Sequence, residues 1–289
     1  MKRKFAFLNL FLGCFSLLTI HTKFTPHLVA EDLIKIDLDL EIKKGNFLIG
    51  LKQYLGGDYD SFSKNQEITF VTDKGFLNLY SSNGIEHKAK NITIQWSDIP
   101  TKSPKTIQRI VFGPFASFES AQKQAEILKE KGFDATVAYP KNWEVWIPFE
   151  DDMPALGLKS KIFRKIKDSQ ITPLLKSDSF VKKLEGPIHI YADEEITIND
   201  VQFGKNFYLI QDSYGTWTLI QKIKFDDYLA GVLPYEIGPS APLEALKAQA
   251  VIARTWGIFN SDRFNMDNYH LCITTQCQVY KPPKLKNKK

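Results

Sequence analysis

The chain has 289 residues, of which 43% are hydrophobic and 13% aromatic, enough to bury real cores and to exclude wholesale disorder. The formal net charge of +5 is carried by the two ends: Lys2, Arg3, Lys4 and Lys23 precede Ala30 with no acid among them, and five lysines stand from Lys281 onward. The body between holds 29 basic against 33 acidic residues, so the overall charge balance excludes a basic body of the kind built for nucleic acid.

Residues 1–30 read as an export signal. Basic Met1–Lys4 precede an apolar run from Phe5 to Ile20, and a polar region with Pro26 ends at Ala30 before Glu31-Asp32. The run falls short of the ~20 apolar residues of a comfortable span. Cleavage near Ala30, retention as an N-terminal anchor, and lipoprotein processing at Gly13-Cys14 all stay open. The expected location is outside the cytoplasm, in periplasm or wall, with membrane contact only through an uncleaved signal.

Residues 31–105 alternate apolar and polar side chains in short runs (Ile34–Leu40, Ile68–Thr72, Phe76–Tyr80, Ile92–Trp96), separated by turn signals such as Gly56-Gly57-Asp58 and Ser82-Asn-Gly84. Asp98–Pro104 reads as a linker. Residues 106–150 form a β-α-β-β unit. A strand at Arg109–Phe112 runs into Gly113-Pro114. A helix from Phe118 to Lys131 then carries Phe118, Ala121, Ala125 and Leu128 on one face, with Ser117 as cap and Gly132 just past its end. Two strands follow, around Ala135–Tyr139 and Trp143–Ile147. The phrases Val111-Phe-Gly-Pro-Phe115 and Lys131-Gly-Phe-Asp-Ala135 flanking the helix resemble part of a SPOR domain. That resemblance implies binding to glycan strands stripped of their stem peptides; a generic strand–helix–strand unit without a ligand is the alternative.

Residues 151–182 are mixed and basic and read as a connector. Residues 183–289 open with more strand-like runs (Ile188–Tyr191, Phe207–Ile210, Thr216–Ile220). These are expected to share a domain with the early strands, which makes 106–150 an insertion. The run Tyr228-Leu-Ala-Gly-Val then leads to Glu236, which Pro234 and Gly238-Pro239 place in a loop. An alanine-rich helix follows to about Phe259, with Ser240 as candidate cap and Leu243, Leu246, Ala250, Ala253 and Gly257 as its packing stripe. By spacing alone Glu236 is an ordinary loop acid.

The ordered block Tyr228-Leu-x-Gly-Val-x-x-x-Glu236, Glu244-Ala-Leu-Lys-Ala-Gln-Ala-Val-x-Ala-Arg-Thr255 and Cys272-x-Thr-Thr-x-Cys-Gln-Val-Tyr280 resembles the stage II sporulation protein D (SpoIID)/LytB family. The resemblance implies an α+β fold: a strand-rich domain with the alanine-rich helix after the catalytic loop, interrupted by the SPOR-like unit. It places the catalytic acid at Glu236, with lytic transglycosylase action on denuded glycan strands giving 1,6-anhydro ends. One carboxyl group suffices when the substrate's own C6 hydroxyl replaces the second carboxylate of ordinary glycoside hydrolysis. The work requires a carboxyl shielded from water, for which Leu233, Tyr235 and Ile237 are candidates.

Lys247, Gln249, Arg254, Thr274 and Thr275 are candidate substrate contacts, with a solvated helix face or turn as the alternative. Cys272 and Cys277 can form a disulfide, bind zinc together with His270, or stay free; Gln276 stands where the family's second histidine is expected. The family domain continues past Val279-Tyr280, so the resemblance also implies a truncated or degenerate member. A non-catalytic wall-binding protein or amidase enhancer is the alternative function. The expected partners are glycan strands and a cell-wall amidase.

Overall fold

The computed structural model describes residues 36–57, 67–150 and 160–282; the expected export segment lies outside them. Among the described residues no helix is long and apolar enough to cross a membrane. The fold is α+β and strand-rich, built from two sheets.

The first sheet has seven strands. A short helix α1 (Leu38–Lys43), capped by Asp37, whose carboxylate accepts from the Leu40 N–H (2.9 Å), leads into β1 (Asn46–Leu55). With β3 (Leu77–Ser81), β4 (Glu86–Ala89), β10 (Ile188–Tyr191), β13 (Asn206–Gln211), β14 (Trp217–Lys224) and β15 (Leu271–Cys272), it makes the order β15-β1-β14-β13-β10-β3-β4. Early and late strands thus lie in one sheet, with β3 and β10 paired from Ile188↔Ser81 to Tyr191↔Asn78.

The second sheet is organised by β5 (Asn91–Phe115), a single strand of 25 residues. Its first residues pair with β2 (Glu67–Val71) and its last with β7 (Trp143–Pro148), which in turn pairs with β6 (Thr136–Ala138). Along nearly its whole length β5 also pairs with β8 (Ser160–Ser177), from Thr93↔Lys176 to Phe112↔Ser160, and β8 turns back into β9 (Phe180–Lys183). Two-residue strands β11 (Thr197–Ile198) and β12 (Val201–Gln202) close the far edge.

Two expectations are corrected here. Asp98–Pro104 is not a linker but the middle of β5, where the register shifts between Pro100 and Lys105. Residues 160–182 are not a plain connector but the paired strands β8 and β9. Pro100 and Pro104 read as breakers because proline donates no ladder bond, and the irregular register here absorbs them.

Alternation along the strands sorts the core. From β13, Phe207 and Leu209 face one side, against Phe70, Ile92, Ile94 and Trp96 of the second sheet. Tyr208 and Ile210 face the other side, together with Leu48 and Ile220. That second face is covered by the β5–α2–β6–β7 unit, where α2 (Phe118–Glu130) contributes Phe118, Ala121, Ala125 and Leu128, all buried. Ser117 caps α2 with a reciprocal Ser117–Ser120 capping box, and Gly132 follows its end at φ +88°. A third cluster, around Phe47, Ile49 and Ile223, lies under the last two long helices.

Candidate active site

Helix α3 (Phe225–Glu236) starts where β14 ends and buries Tyr228, Leu229, Gly231 and Val232. Phe47 of β1 anchors it, with ring centroids 4.3 Å from Phe225 and 5.0 Å from Tyr228. Glu236 is the last residue of this helix, not a loop residue. Pro234 reads as a breaker, yet it occupies the final turn, where only one intrahelical bond is forfeited before the helix ends. Ile237 caps that end, its N–H donating to the Leu233 carbonyl (3.2 Å), and Gly238 at φ +85° supplies the left-handed turn that follows.

Gly231 of the Tyr-Leu-x-Gly-Val run has a specific packing reason. A Cβ there would lie 2.6 Å from the Lys281 carbonyl oxygen and closer still to the edge of the Tyr280 ring. The segment Gln278–Lys281 crosses α3 at this point, and the Lys281 N–H donates to the Gly231 carbonyl (3.1 Å). Tyr228 and Tyr280 stack beneath, centroids 5.4 Å apart. The Tyr228 hydroxyl donates to Gln278 Oε1 (3.3 Å) and the Tyr280 hydroxyl to Gln221 Oε1 (3.4 Å). Burial, then the nearby Glu236 charge, then Tyr280 push the Tyr228 phenol well above its ordinary pKa. This buried tyrosine–glutamine layer was not singled out from the sequence, although both tyrosines lie in the quoted motifs.

Above that layer the site is open. Glu236 is exposed and, among the described residues, makes no hydrogen bond or ion pair. Tyr235 and Ile237 beside it are also exposed, so the expected apolar shielding is not supplied by these neighbours. Lys281 Nζ lies 4.8 Å from the Tyr235 ring centroid.

Helix α4 (Leu243–Phe259) begins after Pro242, with no side-chain cap; Ser240 does not serve as one. Its buried side is small: Ala253 and Gly257, the latter against Phe47, whose Cζ would lie 2.8 Å from a Cβ. Leu243, expected in that stripe, is exposed instead. The opposite side presents Val251, Ile252 and Phe259 to solvent, Phe259 at 83% exposure.

The candidate substrate contacts do not converge. Lys247 pairs with Glu244 (2.9 Å) on an exposed turn. Arg254 shares its side of α4 by seven-residue spacing and is exposed, while half-buried Gln249 points elsewhere, two residues being ~200° around a helix. Thr274 works inside its own turn, its hydroxyl 3.3 Å from Cys272 Sγ and accepting from the Gln276 N–H (3.4 Å), and Thr275 is exposed.

Cys272 and Cys277 form a disulfide, with Cα atoms 5.7 Å apart. His270 Nδ1 accepts from the Leu48 N–H (2.9 Å) and Nε2 donates to the Leu38 carbonyl (3.1 Å), and burial lowers its pKa to about 4. With both ring nitrogens engaged and both sulfurs joined, this trio does not fit a zinc site. Gln276, in place of a second histidine, accepts from the Trp143 indole N–H (3.0 Å). Arg263 extends the same connection: it is ion-paired with Glu119 of α2, donates to the Gln276 carbonyl (3.3 Å), and lies over the Phe118 and Trp256 rings.

Comparison with known proteins gives this region its class. Residues 213–289, which contain α3, α4 and the disulfide turn, match the family model SpoIID, stage II sporulation protein. This part of the chain is similar to that family over 77 of its 289 residues. A similar relative is an uncharacterized protein of Brachyspira hyodysenteriae, 35% identical over 95 residues, covering 31% of this chain and 24% of that protein. The match thus spans about a quarter of the relative's length. No solved structure matches.

Proposed function

We propose that the chain is an exported protein that remodels peptidoglycan glycan strands, with Glu236 as the acid/base group of a lytic transglycosylase-type cleavage. The observation that carries this reading is the SpoIID segment, whose motif glycine is the residue over which Tyr280 and Lys281 cross to fix the end of α3. The SpoIID family supports a cell-wall-related role. Glu236 first protonates the leaving glycosidic oxygen, and the resulting carboxylate then takes the proton of the C6 hydroxyl as it attacks C1. A carboxyl group doing both near neutral pH has to be withdrawn from water; a strand laid over Tyr235 and Ile237 provides that cover on binding.

The test is digestion of denuded glycan strands followed by mass spectrometry. Wild type is expected to yield 1,6-anhydro ends, and Glu236→Gln to lower their rate of formation by ~10²-fold or more. Identical digests from the two proteins overturn the reading. A second reading, a non-catalytic wall-binding protein or amidase enhancer, is favoured by one observation: α4 exposes Val251, Ile252 and Phe259 to solvent, apolar side chains open to contact with a partner. An amidase assay with and without the protein separates the two.

A further inference from the structure

A groove whose lining does not include Glu236 lies between the β5/β8 ribbon and the turn joining β13 to β14. Three adjoining cavities make it up. One, of about 610 Å³, runs from Trp96 and Asp98 to Tyr214 and Thr216. The next, about 170 Å³, shares Lys167, Ser169 and Gly215 with it. The third, about 570 Å³, shares Thr101, Gln170 and Gln211 with the second. Continuity of this kind suits a linear polymer rather than a compact ligand.

The groove is built around Lys167. Its ammonium group lies over the backbone of Gly215, where any side chain would collide with it, and donates to the Tyr214 carbonyl (3.3 Å). Gly215 itself has φ +82°, a conformation that also favours glycine. Burial and the neighbouring Lys165 lower the Lys167 pKa, while Asp212 and Asp98 act against that shift without forming an ion pair with Lys167 among the described residues. Lys105, Lys165 and Lys183, which also line the groove, likewise make no ion pair among the described residues. Asp98, Asp168 and Glu185 also line the groove and offset part of this charge, but with Lys141 its lysines number five against those three acids, and a cleft with an excess of one sign attracts a ligand of the other. Between them stand hydroxyls and amides (Ser97, Ser169, Thr172, Gln95, Gln170, Gln211), the side chains that meet sugar hydroxyls. An extended peptide would call instead for an open ladder or apolar side-chain pockets, and β5 is already paired with β8 along this wall.

We infer that this groove binds a linear, carboxylate-bearing saccharide polymer, holding the strand with residues other than Glu236. Identifying that polymer as the denuded glycan strand, with one lactyl carboxylate per disaccharide, rests on the function proposed above.

The test measures equilibrium binding to the full chain of soluble denuded glycan fragments, of neutral N-acetylglucosamine oligomers of equal length, and of poly-glutamate. Wild type is expected to bind the carboxylate-bearing fragments at least tenfold more tightly than either of the others, with affinity falling as salt rises. The Lys165→Glu/Lys167→Glu pair and the Lys105→Glu/Lys183→Glu pair should each weaken that binding at least tenfold. The second pair leaves the half-buried Lys167 in place and guards against misfolding of the first. Glu236→Gln should bind like wild type. Unchanged binding in both reversal pairs overturns the groove, and equal binding of poly-glutamate assigns it to an acidic peptide instead. If Glu236→Gln cleaves like wild type while the reversals weaken binding, the catalytic reading fails and the groove stands.

Discussion

Helices α2 and α4 are 13 and 17 residues long and treat their apolar side chains in opposite ways. In α2 Phe118, Ala121, Ala125 and Leu128 form one buried stripe, Ile127 alone of its large apolar side chains is exposed, and a capping box and a glycine close the ends. In α4 the buried side is made of an alanine and a glycine, while larger apolar groups face solvent on the other side and no side chain caps the start. The first helix is specified by its own core. The second is held close to Phe47 by small residues, leaving a side that folding does not use. Exposed apolar side chains of that kind are available for contact with another molecule, and they lie in the segment that matches SpoIID.

That contrast can be broken at several points. Leu128→Ala removes a fully buried side chain from the α2 stripe and is expected to cost about 3 kcal/mol in denaturant unfolding. Gly231→Ala, at the crossing of α3 by Tyr280 and Lys281, should cost about 2 kcal/mol despite its better helix propensity, because a backbone carbonyl blocks the added methyl group. A stability gain there would show that the crossing is loose.

The turn after α4 offers a pH test. Asp267 is buried, accepts from the Tyr214 hydroxyl (2.7 Å), and is pushed up to about 7 by burial. A carboxyl whose folded pKa lies above its unfolded value favours the protonated folded state, so its contribution to stability falls as pH rises from ~4 to ~7. His270, lowered to about 4 by burial, acts in the opposite direction, its contribution rising over ~4 to ~6.5. Asp212, also raised by burial, acts in the same direction as Asp267, and His189, also lowered by burial, acts with His270. Asp267→Asn should remove the Asp267 contribution from this balance, gaining about 2 kcal/mol relative to wild type between pH 5 and 8. Parallel pH profiles for the two proteins would refute the assignment.

Smaller effects sharpen the comparison. Ser117→Ala, which removes the α2 cap, is expected to cost about 1 kcal/mol. Phe259→Ser, at the exposed end of α4, should change stability by less than ~0.5 kcal/mol. A large loss there would mean that this side of α4 is covered within the folded chain.

Legibility in the sequence follows the range of the interactions. The α2 stripe, Ser117 and Gly132 were readable because caps and helical spacing are local. The end of α4 at Phe259 was readable for the same reason. Strands β5 and β8 were not: Asp98–Pro104 and Lys161–Lys167 look like linkers because their residues are exposed, basic or proline, and only pairing between positions far apart in sequence, as in Lys105↔Lys167, makes them strands. Glu236 was located by motif but misplaced in a loop, because Pro234 is a helix breaker in general and a tolerated residue in a last turn. That the side chains around it stay exposed, and that both ring nitrogens of His270 bond to the Leu48 and Leu38 backbone groups, depends on packing between distant segments that no local pattern encodes.

The Arg263 and Trp143 connections bear on how the protein can be cut. Glu119 and Trp143 from the α2 unit reach Arg263 and Gln276 of the SpoIID segment, and Leu48, Tyr208, Ile210 and Ile220 form the floor on which that unit rests. Excising residues 108–148 would strip this floor bare and remove the end of β5 with all of α2, β6 and β7, so a deletion variant would report aggregation rather than lost ligand binding. Dissecting the activity of the chain therefore calls for point substitutions on an intact polypeptide, and a fragment library cut at the apparent module boundary would sample broken halves of one folding unit.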